Sequence, residues 1–186
     1  MIKIQDLTIY EYFFSGVNTD QQDSIIEFLK PENKFLGKQF IEKNITFDEM
    51  EVLKRSLNNP NLESMSKVII PLFRVYGDIN TREVESFMNE SIFQLFRAQK
   101  YLQQFVSRRM EIEKRAFEGR LDVKLIRIKA GEKLAPYSHQ LSKNQLAKDF
   151  GCDPDTIGGW KYNKVFSILA SNSALSGVKA DYADQK

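Results

Sequence analysis

A single cysteine, Cys152, excludes an internal disulfide and leaves no set of thiolates to hold a metal. A single histidine, His139, excludes any site built on a pair of imidazoles. No apolar run approaches the ~20 residues needed to span a bilayer, and the N-terminus lacks a basic stretch followed by an apolar one. These absences predict a soluble protein of a reducing cytosol, with no membrane partner, no metal and no cofactor. Net charge is also small, +2, so the chain as a whole is not a polycation made for nucleic acid. What is plentiful is apolar and aromatic: 42% hydrophobic residues, with 14 Phe and 7 Tyr, supply enough for a packed core. A chain of 186 residues fits one domain, or one domain with an appendage.

Glycine and proline are missing altogether from residues 80–118. Apolar residues there return every three or four positions: Val84, Phe87 and Met88, Ile92, Leu95, Ala98, Leu102, Phe105 and Val106, Met110, Ile112, Ala116 and Phe117. That period predicts one long central helix over 80–118 with a buried stripe, Asn80 as its N-cap and Glu83 reaching back to the cap. At about 1.5 Å per residue such a rod exceeds roughly 50 Å. It is longer than a domain of this size needs, and a second molecule lying along it would account for the excess.

The other segments are shorter. A helix over Leu7–Phe14, a second one capped by Asp20 and ending before Pro31, a short helix over Phe35–Lys43 and a helix opened by the Thr46/Glu49 capping box make residues 1–79 a helical bundle. Leu62–Tyr76 is apolar at helical spacing but holds Pro71, which predicts a kink or break. After Gly119 the pattern changes, and residues 119–141 read as a basic connector that is either a strand or a frayed helix, with 130–141 as loop. Residues 142–172 read as a small helical hairpin subdomain. Residues 173–186 read as a flexible tail that orders on a partner. No internal repeat is visible. The fold class predicted is mainly α.

Within the hairpin the sequence is SKNQLAKDFGCDPDTIGGW, residues 142–160. Ser142 with Gln145 has capping-box spacing, Gly151 ends the first helix, and Asp153-Pro154 opens a second with Asp as N-cap and Pro at its first position. The spacing resembles the helix-turn-helix of DNA-binding repressors and recombinases, which implies duplex DNA as partner. The chemistry of the second helix runs against base reading. Its outward positions are Asp155, Thr156, Gly158, Gly159, Lys161 and Tyr162, where base recognition uses Arg, Gln or Asn, and Asp153 and Asp155 oppose phosphate. Gly158-Gly159 is more compatible with a helix end, with a new helix following Trp160.

Charge is unevenly spread. Residues 1–96 carry 10 Lys and Arg against 15 Asp and Glu, residues 97–129 carry 10 against 4, and residues 130–186 carry 7 against 6. The basic set Arg108, Arg109, Lys114, Arg115, Arg120, Lys124, Arg127 and Lys129, with Trp160, Lys161, Tyr162 and Lys164, forms the candidate contact residues for a protein or nucleic-acid partner; a solvated helix face is the plain alternative. No catalytic residue is predicted. Ser138 and His139 are adjacent without an acidic orienter in sequence, Cys152 stands beside Asp153 at a position suited to core packing, and Glu111, Glu113, Glu118 and Asp122 alternate with cations as ion pairs do.

Taken with the N-terminal bundle and the long helix, the stretch LAKDFGCDPDTIGGWKYNKVFSILASNSA resembles the C-terminal halves of tailed-bacteriophage assembly proteins, either tail-assembly chaperones or the helical connectors between portal and tail. The resemblance implies a non-enzymatic virion or assembly protein, a connector-ring subunit or a tail-assembly factor. It would act through copies of itself and other virion proteins, in the host cytoplasm during assembly or in the particle. The alternative is a helix-turn-helix DNA-binding protein, with the basic residues from 108 to 129 supporting residues 142–162.

Overall fold

In the computed structural model, which describes residues 6–14, 27–56, 81–117 and 129–183, the chain is mainly α. The helices are α1 (Ile9–Phe14), α2 (Phe47–Ser56), α3 (Thr81–Met88), α4 (Ile92–Phe117), α5 (Ala130–Leu134), α6 (Ser138–Phe150), α7 (Pro154–Gly158) and α8 (Tyr162–Ala183), with 3-10 turns at Glu42–Asn44 and Ala135–Tyr137. The chain divides into two units: residues 1–42 with 52–108, and residues 43–51 with 109–186.

In the first unit, α1, α3 and the buried face of α4 supply the core. Ile9, Tyr12, Phe35, Leu53, Phe87, Ile92, Leu95, Phe96, Ala98, Leu102 and Phe105 are buried. Its aromatic rings meet edge to face, Tyr12 with Phe96 at 5.3 Å, Phe35 with Phe87 at 5.8 Å and Phe40 with Phe105 at 5.3 Å between centroids, the arrangement the ring quadrupoles favour. Phe35 and Lys38 exchange both backbone hydrogen bonds around Leu36 and Gly37, which have φ of 47° and 72°. Two successive positive φ values define a tight reversing turn, so the short helix expected over Phe35–Lys43 is replaced by a turn and the 3-10 turn at Glu42–Asn44.

The expected long central helix is present as α4, 26 residues over Ile92–Phe117, but the span expected over 80–118 is divided. It breaks at Asn89–Ser91, between α3 and α4. Asn80, the expected cap, lies outside the described residues. The interruption has a local and a distant cause. Ser91 caps α4, its Oγ accepting the N–H of Phe93 at 3.3 Å. The Glu90 carbonyl, which a continuous helix would spend on itself, accepts the N–H of Ile9 at 2.9 Å, while Ile92 N–H donates to the Leu7 carbonyl at 3.0 Å. α1 and α4 are thus joined at their starts by a single antiparallel bridge between Thr8 and Ser91.

The second unit contains the same device. Thr46 bridges Lys161, Phe47 N–H donates to the Trp160 carbonyl and Tyr162 N–H to the Ile45 carbonyl, both at 2.9 Å. In each case the first N–H of a helix, which has no partner within that helix, is satisfied by the other helix's entry strand. The same bridge between two helix starts therefore occurs twice among the described residues, without an internal repeat in the sequence. The recurring element is a polar bridging residue followed by an apolar or aromatic one, Thr8-Ile9, Ser91-Ile92, Thr46-Phe47 and Lys161-Tyr162. Four residues are too short a similarity to register as a sequence repeat. The Thr46/Glu49 capping box forms as expected, Thr46 N–H to Glu49 Oε2 at 2.8 Å and Glu49 N–H to Thr46 Oγ1 at 3.2 Å, and Thr8 with Glu11 makes another.

The remaining expectations meet mixed ends. The segments around Asp20 and over Leu62–Tyr76, the last residue of the span expected as the long helix, Glu118, and residues 119–128 of the expected connector lie outside the described residues. Residues 130–141, expected as loop, are α5, a 3-10 turn and the start of α6. Ser142 is inside α6, not at its cap, and Gln145 donates to Asp149 one turn on, at 2.7 Å. The tail expected to be flexible from Ser173 is helical to Ala183.

Candidate assembly surface

The second unit is built from one turn outward. Gly151 ends α6 with φ 64°, a conformation glycine adopts without strain, and Cys152 N–H closes the turn on the Ala147 carbonyl at 3.0 Å. Asp153 is the N-cap of α7, its side chain accepting from Asp155 N–H, and Pro154 follows at the first helical position. α7 is only five residues long. It stops at Gly158-Gly159, and Lys161 starts the bridge to Thr46 before α8 begins. These are the cap and stop positions read in the sequence. Cys152 is half-buried.

A polar network fixes the first turn of α2 to α6 and α7. His139 Nε2 lies 2.8 Å from Asp48 Oδ1, and Lys143 Nζ lies 3.0 Å from Asp48 Oδ2 and 3.4 Å from Asp155 Oδ1. Because a carboxylate only accepts, the His139 proton toward Asp48 sits on Nε2. His139 also rests on the Phe47 ring, centroids 4.3 Å apart. Burial pushes the Asp48 carboxyl up, but the bonds from His139 and Lys143 outweigh it and hold the group below its ordinary value. Burial likewise pulls Lys143 down, and Asp48, then Asp155, outweigh it and hold the ammonium above its ordinary value. Asp48 is the acidic partner of His139 that the sequence did not display. The network is nevertheless closed on itself: Ser138 donates its hydroxyl to the Ala135 carbonyl at 2.9 Å, not to His139. No group of three His, Cys, Asp or Glu able to hold a metal occurs among the described residues.

The predicted contact residues are mostly occupied within the chain. Arg108 faces Glu42 at 3.8 Å, Arg109 lies over the Tyr162 ring at 5.9 Å, and Arg115 pairs with Glu111. Lys129 pairs with Glu132 at 3.6 Å. Lys161 bonds both the carbonyl and the side chain of Asn44, at 3.3 and 3.2 Å. Lys164 Nζ sits 3.4 Å above Trp160, whose other neighbour is Phe150 at 5.1 Å. Tyr162 is buried, stacks on Phe166 and donates its hydroxyl to Glu113; burial first and Glu113 second push its phenol well above the usual value. Lys114 is exposed on α4. Arg120, Lys124 and Arg127, with Glu118 and Asp122, lie outside the described residues.

No family model, curated protein or solved structure matches this chain. The surface itself must therefore carry the functional reading. Its distinguishing feature is apolar exposure that the sequence reading did not single out. The buried stripe of α4 ends at Val106, and Met110, Ile112 and Phe117 beyond it are exposed. In α8 the last buried side chain among those described is Val165, and Leu175, Val178 and Tyr182 are exposed further along. Their spacing of three and four residues was the available signal. No helix among the described residues is long and apolar enough to cross a membrane.

Proposed function

We propose that this protein is a non-catalytic assembly subunit that works through contacts with copies of itself and with other assembly components. In its specific form it is a tailed-bacteriophage protein, a subunit of a head-to-tail connector ring ahead of a tail-assembly factor. The observation that carries the proposal is the far half of α8. From Val165, its last described buried residue, to Ala183 the helix continues roughly 27 Å. It carries Leu175, Val178 and Tyr182 in water. Isolated helical turns are marginal in water, and an exposed apolar stripe at helical spacing is what a partner surface supplies with burial. The folded chain presents that stripe ready-made, which lowers the ordering cost of docking.

The helix-turn-helix DNA reading has less support. The element that would enter the groove, α7, is one turn long, starts with Asp153 and Asp155, and ends where Gly158 lies against the Asp48 carboxylate. The test is the mass of the purified protein by light scattering across a concentration series, alone and with duplex DNA. A discrete oligomer that is lost on deletion of residues 174–186 supports the assembly reading. A monomer at all concentrations with salt-dependent duplex affinity, abolished by Lys161→Glu with Lys164→Glu, replaces it with the DNA reading. A monomer that binds a separate helical client makes it a chaperone.

A further inference from the structure

The chain has a single imidazole, and it sits between two carboxylates. His139, on α6, keeps only 13% of its side chain exposed and lies against the first two turns of α2. Its Nε2 is 2.8 Å from Asp48 Oδ1, its Nδ1 is 3.9 Å from Glu51 Oε2, and its ring rests on Phe47. Asp48 and Glu51 are three residues apart on α2, so they share a face of that helix, and the imidazole reaches both. The other charges close by are Lys143, one turn along α6 and bonded to Asp48, and Asp155 of α7, which faces Lys143. Glu49, in the same turn of α2, is spent on the Thr46 N–H. Asp48, Glu51 and Asp155 thus stand against one ammonium, and a positive charge at His139 offsets part of the excess.

The two ring nitrogens act differently. Nε2–H donates to Asp48 whether the ring is neutral or charged. In the neutral ring Nδ1 carries a lone pair, and a lone pair facing a carboxylate oxygen makes no bond. A proton on Nδ1 turns that contact into an ion pair, because 3.9 Å is within reach of opposite charges although too long for a hydrogen bond. Glu51 keeps only 23% of its side chain exposed, so the contact is partly shielded from water. Imidazole is also the side chain that ordinarily changes charge between about pH 5 and pH 8.

We infer that His139 is a proton-operated latch between α6 and α2: the neutral ring holds α2 at Asp48 alone, and the charged ring holds it at Asp48 and Glu51 together. The device lies within the second unit and goes beyond the assembly reading, since it operates whether or not copies associate. Acidification tightens the contact between α6 and α2, and a rise in pH loosens it. Asp48 is held below its ordinary 3.8 and Lys143 above its ordinary 10.5, so that pair keeps its charges across the range in which the latch works.

The experiment is a double-mutant cycle on the full chain: His139→Gln, Glu51→Gln and the two together. Urea unfolding is followed by Trp160 fluorescence at about pH 5.5 and about pH 8. Glu51 has a further interaction within the chain, which is the same with and without His139 and cancels in the cycle. Coupling between the two positions is expected to change the unfolding equilibrium constant by about threefold at the lower pH and to vanish at the higher. Equal coupling at both pH values, or none at the lower, overturns the latch. Should a variant fail to fold, the unmodified 15N-labelled protein decides, because the ring signals of its one histidine stand alone. They are expected to show Nδ1 without a proton at the higher pH and both nitrogens protonated at the lower. Nδ1 protonated at the higher pH, or bare at the lower, overturns the latch as well.

Discussion

The ammonium of Lys143 lies 3.0 Å from Oδ2 of Asp48, and Lys143 is only 6% exposed. Nearly all of its compensation for leaving water comes from that carboxylate, because Asp155, its other partner, is exposed and farther away. Asp48→Ala should therefore destabilise the second unit by about 2 kcal/mol, the scale of a charge-assisted hydrogen bond whose partner stays buried. Lys143→Met, which removes the buried charge as well, should cost less. Urea unfolding followed by the fluorescence of Trp160, the single tryptophan, reads this unit directly. Equal losses for the two variants would show that the pair is not what holds Lys143 in place.

The same pair sets a pH window. Asp48 has its folded value below the ordinary 3.8, so its contribution is present above 3.8 and disappears as pH falls through the lower folded value. Lys143 has its folded value above 10.5, so its contribution is complete below 10.5 and disappears as pH rises through the higher folded value. Trp160 fluorescence should report stability from this pair that is flat between about pH 5 and pH 9 and falls on both sides. The acid limb should be weaker in Asp48→Asn; an unchanged acid limb would contradict the assignment.

Tyr162 gives a separate alkaline prediction. Its phenol is held protonated above the ordinary 10.0 by burial and Glu113, so folding binds a proton that the unfolded chain releases above pH 10. Stability should drop as pH rises past that point, and Tyr162→Phe should flatten the drop at the expense of the hydroxyl bond to Glu113. In the first unit Tyr101, pushed up to about 12 by burial and then by Glu42, predicts the same sign of change for Tyr101→Phe. A stability profile identical to the parent's in both variants would rule out these phenols as the source.

Two glycines should respond oppositely to alanine. A Cβ on Gly158 would lie 2.0 Å from Asp48 Oδ2, so Gly158→Ala must push the carboxylate away from Lys143 and His139. A loss of about 2 kcal/mol follows. A Cβ on Gly177, within α8, meets nothing within 4 Å, and Gly177→Ala should raise helicity and stabilise the helix by up to about 1 kcal/mol. Circular dichroism melts of dilute protein distinguish the two, and a stabilising Gly158→Ala would be incompatible with the packing described.

How much of this was legible in the sequence depended on range. Thr46 with Glu49, Gly151, Asp153-Pro154 and the stop at Gly158-Gly159 act over two to four residues, and each could be read directly. The mainly α class followed from the same local periodicity. The break at Asn89–Ser91 could not be read that way, because the group that claims the Glu90 carbonyl belongs to Ile9, far along the chain. The partner of His139 is Asp48, separated by 91 residues, and no spacing rule connects them. The far half of α8 was misread for a different reason. Residues 173–186 are terminal, which is what suggests a flexible tail, whereas a helix already nucleated at Tyr162 propagates through Gly177 and the serines at a small cost per residue. The regularity of Leu175, Val178 and Tyr182 was the better guide.

The crossed pairing of helix starts also has a consequence for synthesis. Thr46 and its neighbours leave the ribosome long before Lys161 does, roughly 115 residues earlier, which at about 5–20 residues per second is on the order of ten seconds. During that interval Ile45 and Phe47, both buried in the finished protein, have no Trp160-Lys161-Tyr162 segment to bond to. The nascent chain thus carries an uncapped apolar patch until translation is nearly complete, and it is most open to holdases and to premature aggregation in that period.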